Sequence, residues 1–218
     1  AGNGPSHRVP LDLIAYLTEY SVSMKRAALT QDRIIDAAVG AIAERGVGSL
    51  TVAEVAGSCG VSSALVYYHF STKEKLLRAA AGRLAGARAR DRAKAFRSHG
   101  LSALDEHWRF IEEGVASRSE QAWHDVVVLS RNDRAVAVEI EKVREPEWRA
   151  LVQRLPELFL ELGSVPPAPV EEVAVAILAF ADGVALGLAA GTPREALRSA
   201  YDAFWLALIA AGQSAARR

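Results

Sequence analysis

The sequence predicts an all-α protein: an N-terminal three-helix helix-turn-helix unit, then a larger C-terminal helical body. Three observations predict it. Apolar residues recur at helical spacing along most of the chain, first in Ile34, Ile35, Ala38, Ala41 and Ile42. Strand signals are weak, with few β-branched alternations and no Asn-Gly turn between two alternating runs. Two short helical patterns are joined by the tight turn "SCGVS" and follow a longer one, which is the order of a helix-turn-helix.

The elements follow in order. Residues 1–10 read as a flexible tail. Met24 is the only methionine, and "MKRAALTQDRIIDAA" reads as a protein start, so residues 1–23 read as an N-terminal extension, from an upstream start or from cloning. Leu11–Tyr20 can still form one amphipathic helix. The clear periodicity starts at Gln31 and stops at Gly46. In "TVAE" at 51–54, Thr51 caps a second helix and Glu54 reaches back. Gly60 ends that helix, because only glycine enters a left-handed conformation without strain. Ser62 or Ser63 caps a third short helix. Ser71 caps a fourth, with Glu74 at its third position, running to about Arg97. Further helices are expected near 101–117, 120–130, 133–145, 147–162, 170–190 and 194–212, with loops at "GSVPPAP" and "GTP".

Composition narrows the function. Half of the 218 residues are hydrophobic, enough for one domain or two small ones. The single cysteine, Cys59, excludes an internal disulfide and a cysteine-based zinc site, and it suits a reducing compartment. No apolar run is expected to span a membrane, because Glu171, Glu172 and Asp182 interrupt 170–190. There is no secretory signal pattern at the start. The expectation is a soluble cytoplasmic protein. The net charge is zero, yet residues 24–97 hold 13 Lys and Arg against 6 Asp and Glu, whereas residues 98–218 hold 12 against 18. A basic end and an acidic body suggest an anion-binding head.

The stretch "VSSALVYYHFSTKEKLL" carries the chemistry. A helix buried on one face does not need four aromatic rings in a row. Val66 and Phe70, four apart, turn inward. Ser62, Ser63 and Ala64 open the third helix, where a helix-turn-helix meets base edges. Leu65 and Tyr67 lie further along the same side. Tyr68 and His69, near the helix end, can reach phosphate oxygens; for His69, packing is the equal alternative. Lys73 and Thr51 sit at helix starts, where free N–H groups attract phosphate. The competing reading is a hydrophobic corner between the third and fourth helices.

These residues bring a family into view. The segment "RIIDAAVGAIAERGVGSLTVAEVAGSCGVSSALVYYHFSTKEKLL", residues 33 to 77, resembles the TetR family of bacterial transcriptional regulators. "IIDAA", the Gly46 stop, "TVAEVA", "GVS" and above all "YYHFSTKEKLL" carry the resemblance. It covers about a fifth of the chain. Ala64 departs from the glycine or lysine of many relatives. The resemblance implies that Thr51, Ser62, Ser63, Tyr67, Tyr68, His69 and Lys73 match positions that contact operator DNA. It also implies a divergent helical ligand domain and pairing through the last two helices. The expected division is residues 1–23 as extension, 24–77 as DNA-binding domain and 78–218 as effector-binding and dimerisation domain.

The acidic half carries no nameable motif. "AILAFADGVALGLAAG" is rich in small residues, and Tyr201, Phe204, Trp205 and Leu208 are expected on one face of the last helix. A dimer interface is therefore expected to hold Phe180, Asp182, Gly183, Leu186, Gly187, Tyr201, Phe204, Trp205 and Leu208. Asp182 is expected to pair across that interface or to bond a helix end, with a solvated position as the alternative. Trp108, Phe110, Trp123, His124, Arg131 and Trp148, with Glu112 nearby, are candidates for an effector cavity; core packing is the alternative.

The expected function is a ligand-responsive transcriptional regulator, a repressor. It would bind double-stranded operator DNA as a homodimer and be released by a small-molecule effector. The alternative is a DNA-binding regulator or activator without a ligand. No catalytic residue, metal or cofactor is expected. Asp105–Glu106–His107 and His124–Asp125 are adjacent residues that point about 100° apart on a helix, and no H-E-x-x-H, phosphate-loop or G-x-S-x-G motif is present.

Overall fold

The first helix starts well before the periodic pattern does. The computed structural model describes residues 11–217, with side-chain environments from Met24 onward. The expected tail at residues 1–10, and the amphipathic face expected of Leu11–Tyr20, lie outside what is described. Among the described residues there are nine α-helices and no strand. Helix α1 spans Leu11–Arg45 without a break, so neither Met24 nor Gln31 marks a helix start.

The head is built from local signals. Gly46, at φ 80°, ends α1, and a 3-10 turn, Val47–Ser49, leads on. Helix α2, Val52–Ser58, starts as expected: Thr51 Oγ1 accepts from Glu54 N at 3.3 Å and donates to Glu54 Oε2 at 2.9 Å. Its C-terminal end is a Schellman turn. Val61 N bonds Ala56 O at 2.9 Å and Gly60 N bonds Gly57 O at 3.2 Å, with Gly60 at φ +67°. Helix α3, Ser63–Phe70, is capped by Ser62, whose Oγ accepts from Leu65 N at 3.2 Å. Helix α4, Lys73–Ala95, is capped by Thr72, which accepts from Lys75 N at 3.2 Å. The expected cap, Ser71, instead sits at φ 62°, where it ends α3. The segment 70–73 has to reverse direction within two residues, and only Thr72 retains the extended backbone of a cap.

The body holds α5 (Leu101–Ala116), α6 (Ser119–Ser130), α7 (Arg134–Glu161), α8 (Val170–Ala189) and α9 (Arg194–Ala215). The two helices expected at 133–145 and 147–162 are one. Pro146 lacks an N–H and crowds the preceding turn, which argued for a break. The helix continues because it is anchored on both sides. Val136 and Ile140 pack in the head's core, and Leu151, Leu155, Leu158 and Phe159 pack in a second core.

Two hydrophobic cores divide the molecule. The first joins α1 to α4 through Ile34, Leu50, Val55, Val66, Phe70, Leu76 and Leu84, and takes in Trp123 and Val126 of α6. The second joins α5, α7, α8 and α9 around Trp108, Phe159, Ile177, Tyr201 and Trp205. Helix α4 runs from one to the other. By length and composition alone α8 is apolar enough to cross a membrane, with mean hydropathy 1.9 over its best window. Its acidic residues do not break that window, and a third of it is buried inside the chain.

Candidate nucleic-acid interface and internal cavities

Helix α3 presents the expected split. Val66 and Phe70 are buried at 1% and 5%, whereas Tyr67 and Tyr68 stand 49% and 80% exposed. An 80% exposed tyrosine gains little from its ring by packing within this chain. The structure therefore brings Tyr68 to the surface with the exposed Thr51, Ser62 and Ala64, while Ser63, Leu65, His69 and Lys73 are half-buried beside them. His69 rests edge-on against Tyr68, ring centroids 5.4 Å apart, so packing accounts for part of its position. Thr51, Ser62 and Thr72 each cap a helix, and the caps fix the angles at which α2, α3 and α4 leave their turns.

Helix α6 fastens the head to the body. Asp125 Oδ2 accepts from Val47 N at 3.2 Å, just past the end of α1. Arg118 Nη1 donates to Glu44 O at 3.0 Å, satisfying one of the last carbonyls of α1. On its other side the same helix carries Glu120 and Trp123 into the centre of the molecule.

That centre is charged. Arg88 Nε and Nη2 donate to the two oxygens of Glu120 at 2.9 and 3.1 Å, a bidentate pair. Arg88 also reaches Asp182 Oδ1 at 2.6 Å, and Arg92 reaches the same oxygen at 2.9 Å. Arg92 Nη1 lies 3.2 Å from Glu147 Oε1. The guanidiniums cover the rings of Trp123 and Phe110, at 5.0 and 5.5 Å from the centroids. Burial works against the charge on Arg88, but Asp182 and Glu120 outweigh it and raise its pKa. For Arg92, burial and the repulsion of Arg88 prevail and lower the pKa. Burial pushes Asp182 upward, and the two arginines more than reverse that.

His107 lies beside this cluster, 1% exposed. Tyr201 Oη donates to Leu104 O at 3.0 Å, so the 3.0 Å contact from His107 Nδ1 to that hydroxyl requires the proton on Nδ1. Burial, then the charges of Arg92 and Arg88, hold the imidazole well below its usual pKa and keep it neutral.

Two cavities flank the cluster. A cavity of about 460 Å³ lies between α4, α6, α7 and α8, with Trp123, Trp148, Glu147 and Asp182 in its wall. A smaller apolar one of about 210 Å³ shares Arg92, Glu147 and Leu178 with it. The expected effector residues therefore separate. Trp123 and Trp148 line the larger cavity. Trp108 is core, 3% exposed. Phe110 serves Arg92 and lines a polar surface cleft with Glu106 and Arg109. His124 is half-buried and Arg131 exposed, and neither lines a described cavity. Glu112 pairs with Arg194 across the surface.

The sequence reading missed Arg88, Arg92, Glu120 and Glu147. A signal was present: Ala81, Leu84, Ala85, Arg88, Arg92 and Ala95 follow one another at helical spacing, so two arginines stand in an apolar stripe.

The residues expected at a dimer interface also separate. Phe180 and Phe204 stack at 4.1 Å, half-buried, with Leu208 half-buried on the same helix. Leu186 and Leu206 are exposed at 55% and 66%, and Gly183 faces open space. Tyr201 and Trp205, in contrast, are buried at 1% and 2% in the chain's own core, because α9 turns that face onto α5, onto Phe159 of α7 and onto Phe96. Gly187 packs on Leu197. Asp182 points to α4 and pairs within the chain, correcting the expectation of a partner across the interface or at a helix end.

The chemistry-bearing dipeptides are likewise occupied. Asp105 bonds Arg198 at 2.8 Å, Glu106 pairs with Arg109 at 2.8 Å, and Asp125 holds Val47. Among the described residues no group of three or more His, Cys, Asp or Glu is placed to hold a metal ion.

Comparison with known proteins fits this architecture. Residues 34–80 match the family model "Bacterial regulatory proteins, tetR family". A structure described as that of a TetR-family transcriptional regulator from Rhodococcus sp. superposes with a TM-score of 0.66 at 20% identity, covering 83% of this chain and 98% of that one. A TetR-family regulator from Mesorhizobium loti gives 0.67 at 17% identity, covering 85% and 97%. A transcriptional regulator from Saccharomonospora viridis, in complex with choline, gives 0.65 at 19% identity, covering 81% and 95%. No curated protein matches. The chain thus has a TetR-like fold, with an N-terminal DNA-binding unit and a C-terminal helical domain. Its head segment matches the model of the tetR family of bacterial regulatory proteins.

Proposed function

We propose that this chain is a ligand-responsive transcriptional repressor that binds operator DNA as a homodimer and is released by a small-molecule effector. The observation that carries the reading is the outward pair Tyr67 and Tyr68 on a capped recognition helix, 49% and 80% exposed beside buried Val66 and Phe70. Residues 24–77 form the DNA-binding head and 78–218 the effector and pairing body. Thr51, Tyr68, His69 and Lys73 meet phosphate, and Ser62, Ser63, Ala64, Leu65 and Tyr67 face the groove. The exposed face of α8 and α9, with Phe180, Gly183, Leu186 and Phe204, pairs with a second copy. That pairing would set two recognition helices roughly 34–36 Å apart, one turn of DNA. The cavity beside Trp123 and Trp148 supplies room for an effector, as the choline complex of a similar fold supports.

The test is binding to the DNA upstream of the chain's own gene, at two salt concentrations, with a compound library added. Specific binding released by one compound is expected. Specific binding that no compound releases would move the reading to a ligand-free regulator. Lys73→Ala should weaken binding to all sequences alike and flatten the salt dependence by about one phosphate contact. A loss confined to one base position would remove Lys73 from the backbone contacts.

A further inference from the structure

The buried cluster does not balance. Two guanidiniums, Arg88 and Arg92, face three carboxylates, Glu120, Asp182 and Glu147. The rim does not make up the difference: Glu145 is taken by Arg149 at 2.7 Å, and Arg144 and Glu141 add one charge of each sign. One negative charge is left over in a partly enclosed place, where it is screened far less than at the surface.

Unused atoms tell the same story. Both cations have carboxylate partners, although Arg92 keeps an unused Nε. Arg88 has Glu120, Asp182 and the ring of Trp123. Arg92 has Asp182, Glu147 and the ring of Phe110, which lies under a guanidinium whose Nε finds no acceptor. The carboxylates are not fully served. Both arginines share Asp182 Oδ1, and no described residue bonds Oδ2. Glu147 is only 10% exposed, yet its Oε1 makes no well-directed hydrogen bond and no described residue bonds its Oε2. Both residues line the larger cavity. Trp148 lines it too, and its ring pairs with no other described ring or cation.

We infer that this cavity takes a small organic monocation, with Glu147 and Asp182 supplying the counter-charge and Trp148 the ring face. The inference rests on the ligand-responsive reading and names its ligand class. Trp123 is already covered by Arg88, so Trp148 is the ring left for the ligand. The cavity, about 460 Å³, is within the usual range for a small-molecule site. A carboxylate ligand would instead add a second unbalanced negative charge beside two unused carboxylate oxygens.

The test uses three probes of similar size on the full chain: benzyltrimethylammonium, benzyl alcohol and phenylacetate, followed by tryptophan fluorescence. The cation should bind saturably and about tenfold more tightly than either of the others. Glu147→Gln and, separately, Trp148→Leu should each bring its affinity toward that of benzyl alcohol. Two variants are used because Glu147→Gln also loosens Arg92; the comparison of probes on the unaltered chain stands even if a variant fails to fold. Equal binding of cation and alcohol, tighter binding of phenylacetate, or no binding of the cation would each overturn the inference. Selective binding of the cation upholds it, whether or not DNA is released. DNA retained at saturating cation would count against the ligand-responsive reading alone.

Discussion

The head and the body bury different things. Every buried residue the head contributes to its core is apolar or is Cys59, and the head's ion pairs lie at its surface. Every buried charged residue described lies from Arg88 onward, along with His107. An apolar core with capped helix ends gives one stable geometry, which suits a surface that must read a rigid duplex. A buried charge cluster is weak evidence for stability, because desolvation offsets most of the attraction. What it offers is a strong response to any added or removed charge. Under the proposed function the difference assigns the two roles: shape is fixed in the head, and sensitivity belongs to the body.

The comparison breaks first at Glu120. Its bidentate partner Arg88 is 7% exposed, and Glu120 is 1% exposed. Glu120→Ala leaves a buried guanidinium with only half of its counter-charge, and should cost about 3–5 kcal/mol. Denaturant unfolding would measure it. A cost below about 1 kcal/mol would mean that the cluster is solvated and that the contrast with the head is false.

The second prediction concerns pH. His107 is neutral when folded because burial and the nearby arginines depress its pKa. In the unfolded chain it titrates near the ordinary imidazole value of 6.5. Below that pH the unfolded chain takes up a proton that the folded chain refuses. His107 therefore contributes stability in full above about pH 6.5 and loses it as the pH falls, at up to about 1.4 kcal/mol per pH unit. His107→Gln should remove that slope between about pH 6.5 and 5. An unchanged slope in melts across that window would show that another group titrates there.

The same contrast explains what was legible in the sequence. The head announces itself because its determinants are local. Thr51 and Glu54 are three residues apart, Val66 and Phe70 four, and Gly60 ends a helix by its own backbone. Even there Ser71 reads as a cap in the sequence, since two adjacent hydroxyl residues offer the same signal and only the backbone angle distinguishes them. The body's determinants are distant: Arg88 meets Glu120 and Asp182 across 32 and 94 residues. No periodicity links such positions. Aromatic content marks helices that border the cavity but not which side chains line it: Trp123 and Trp148 do, while Trp108 is core. On α9, Tyr201 and Trp205 share an apolar face, and sequence alone does not say whether that face meets the chain or a second copy.

A third prediction addresses the link between the two regions. Asp125 reaches from α6 to Val47 N, and a Cβ added to Gly46 would come within 3.0 Å of the same carboxylate. Asp125→Ala should cost about 1 kcal/mol of stability. Its larger value is diagnostic, since Trp123, in the cavity wall, lies two residues before it on the same helix. Under the proposed function the variant should bind operator as the parent does and respond less to effector. Loss of operator binding itself would show that the contact shapes the head rather than linking it.

The smallest effect belongs to the exposed ion pairs that join α4 to α1 and sets the scale for the others. Arg83 bridges Asp36 at 2.6 Å and also pairs with Asp32, so α4 is tied to α1 through charges, as Arg88 ties it to α6. The chemistry is that of the Glu120 cluster; the setting is not. The side chain of Arg83 is 32% exposed and its partners are 56% and 63% exposed. Water and salt screen such pairs, and ordering three long side chains offsets much of the remainder. Arg83→Ala should therefore cost about 0.2–1 kcal/mol, falling toward nothing in high salt. The measurement is denaturant unfolding at low and high ionic strength beside Glu120→Ala. A loss from Arg83→Ala that matched that of Glu120→Ala and persisted in salt would place a functional charge network in the head as well. The separation between a fixed reading surface and a charge-sensitive body would then have to be given up.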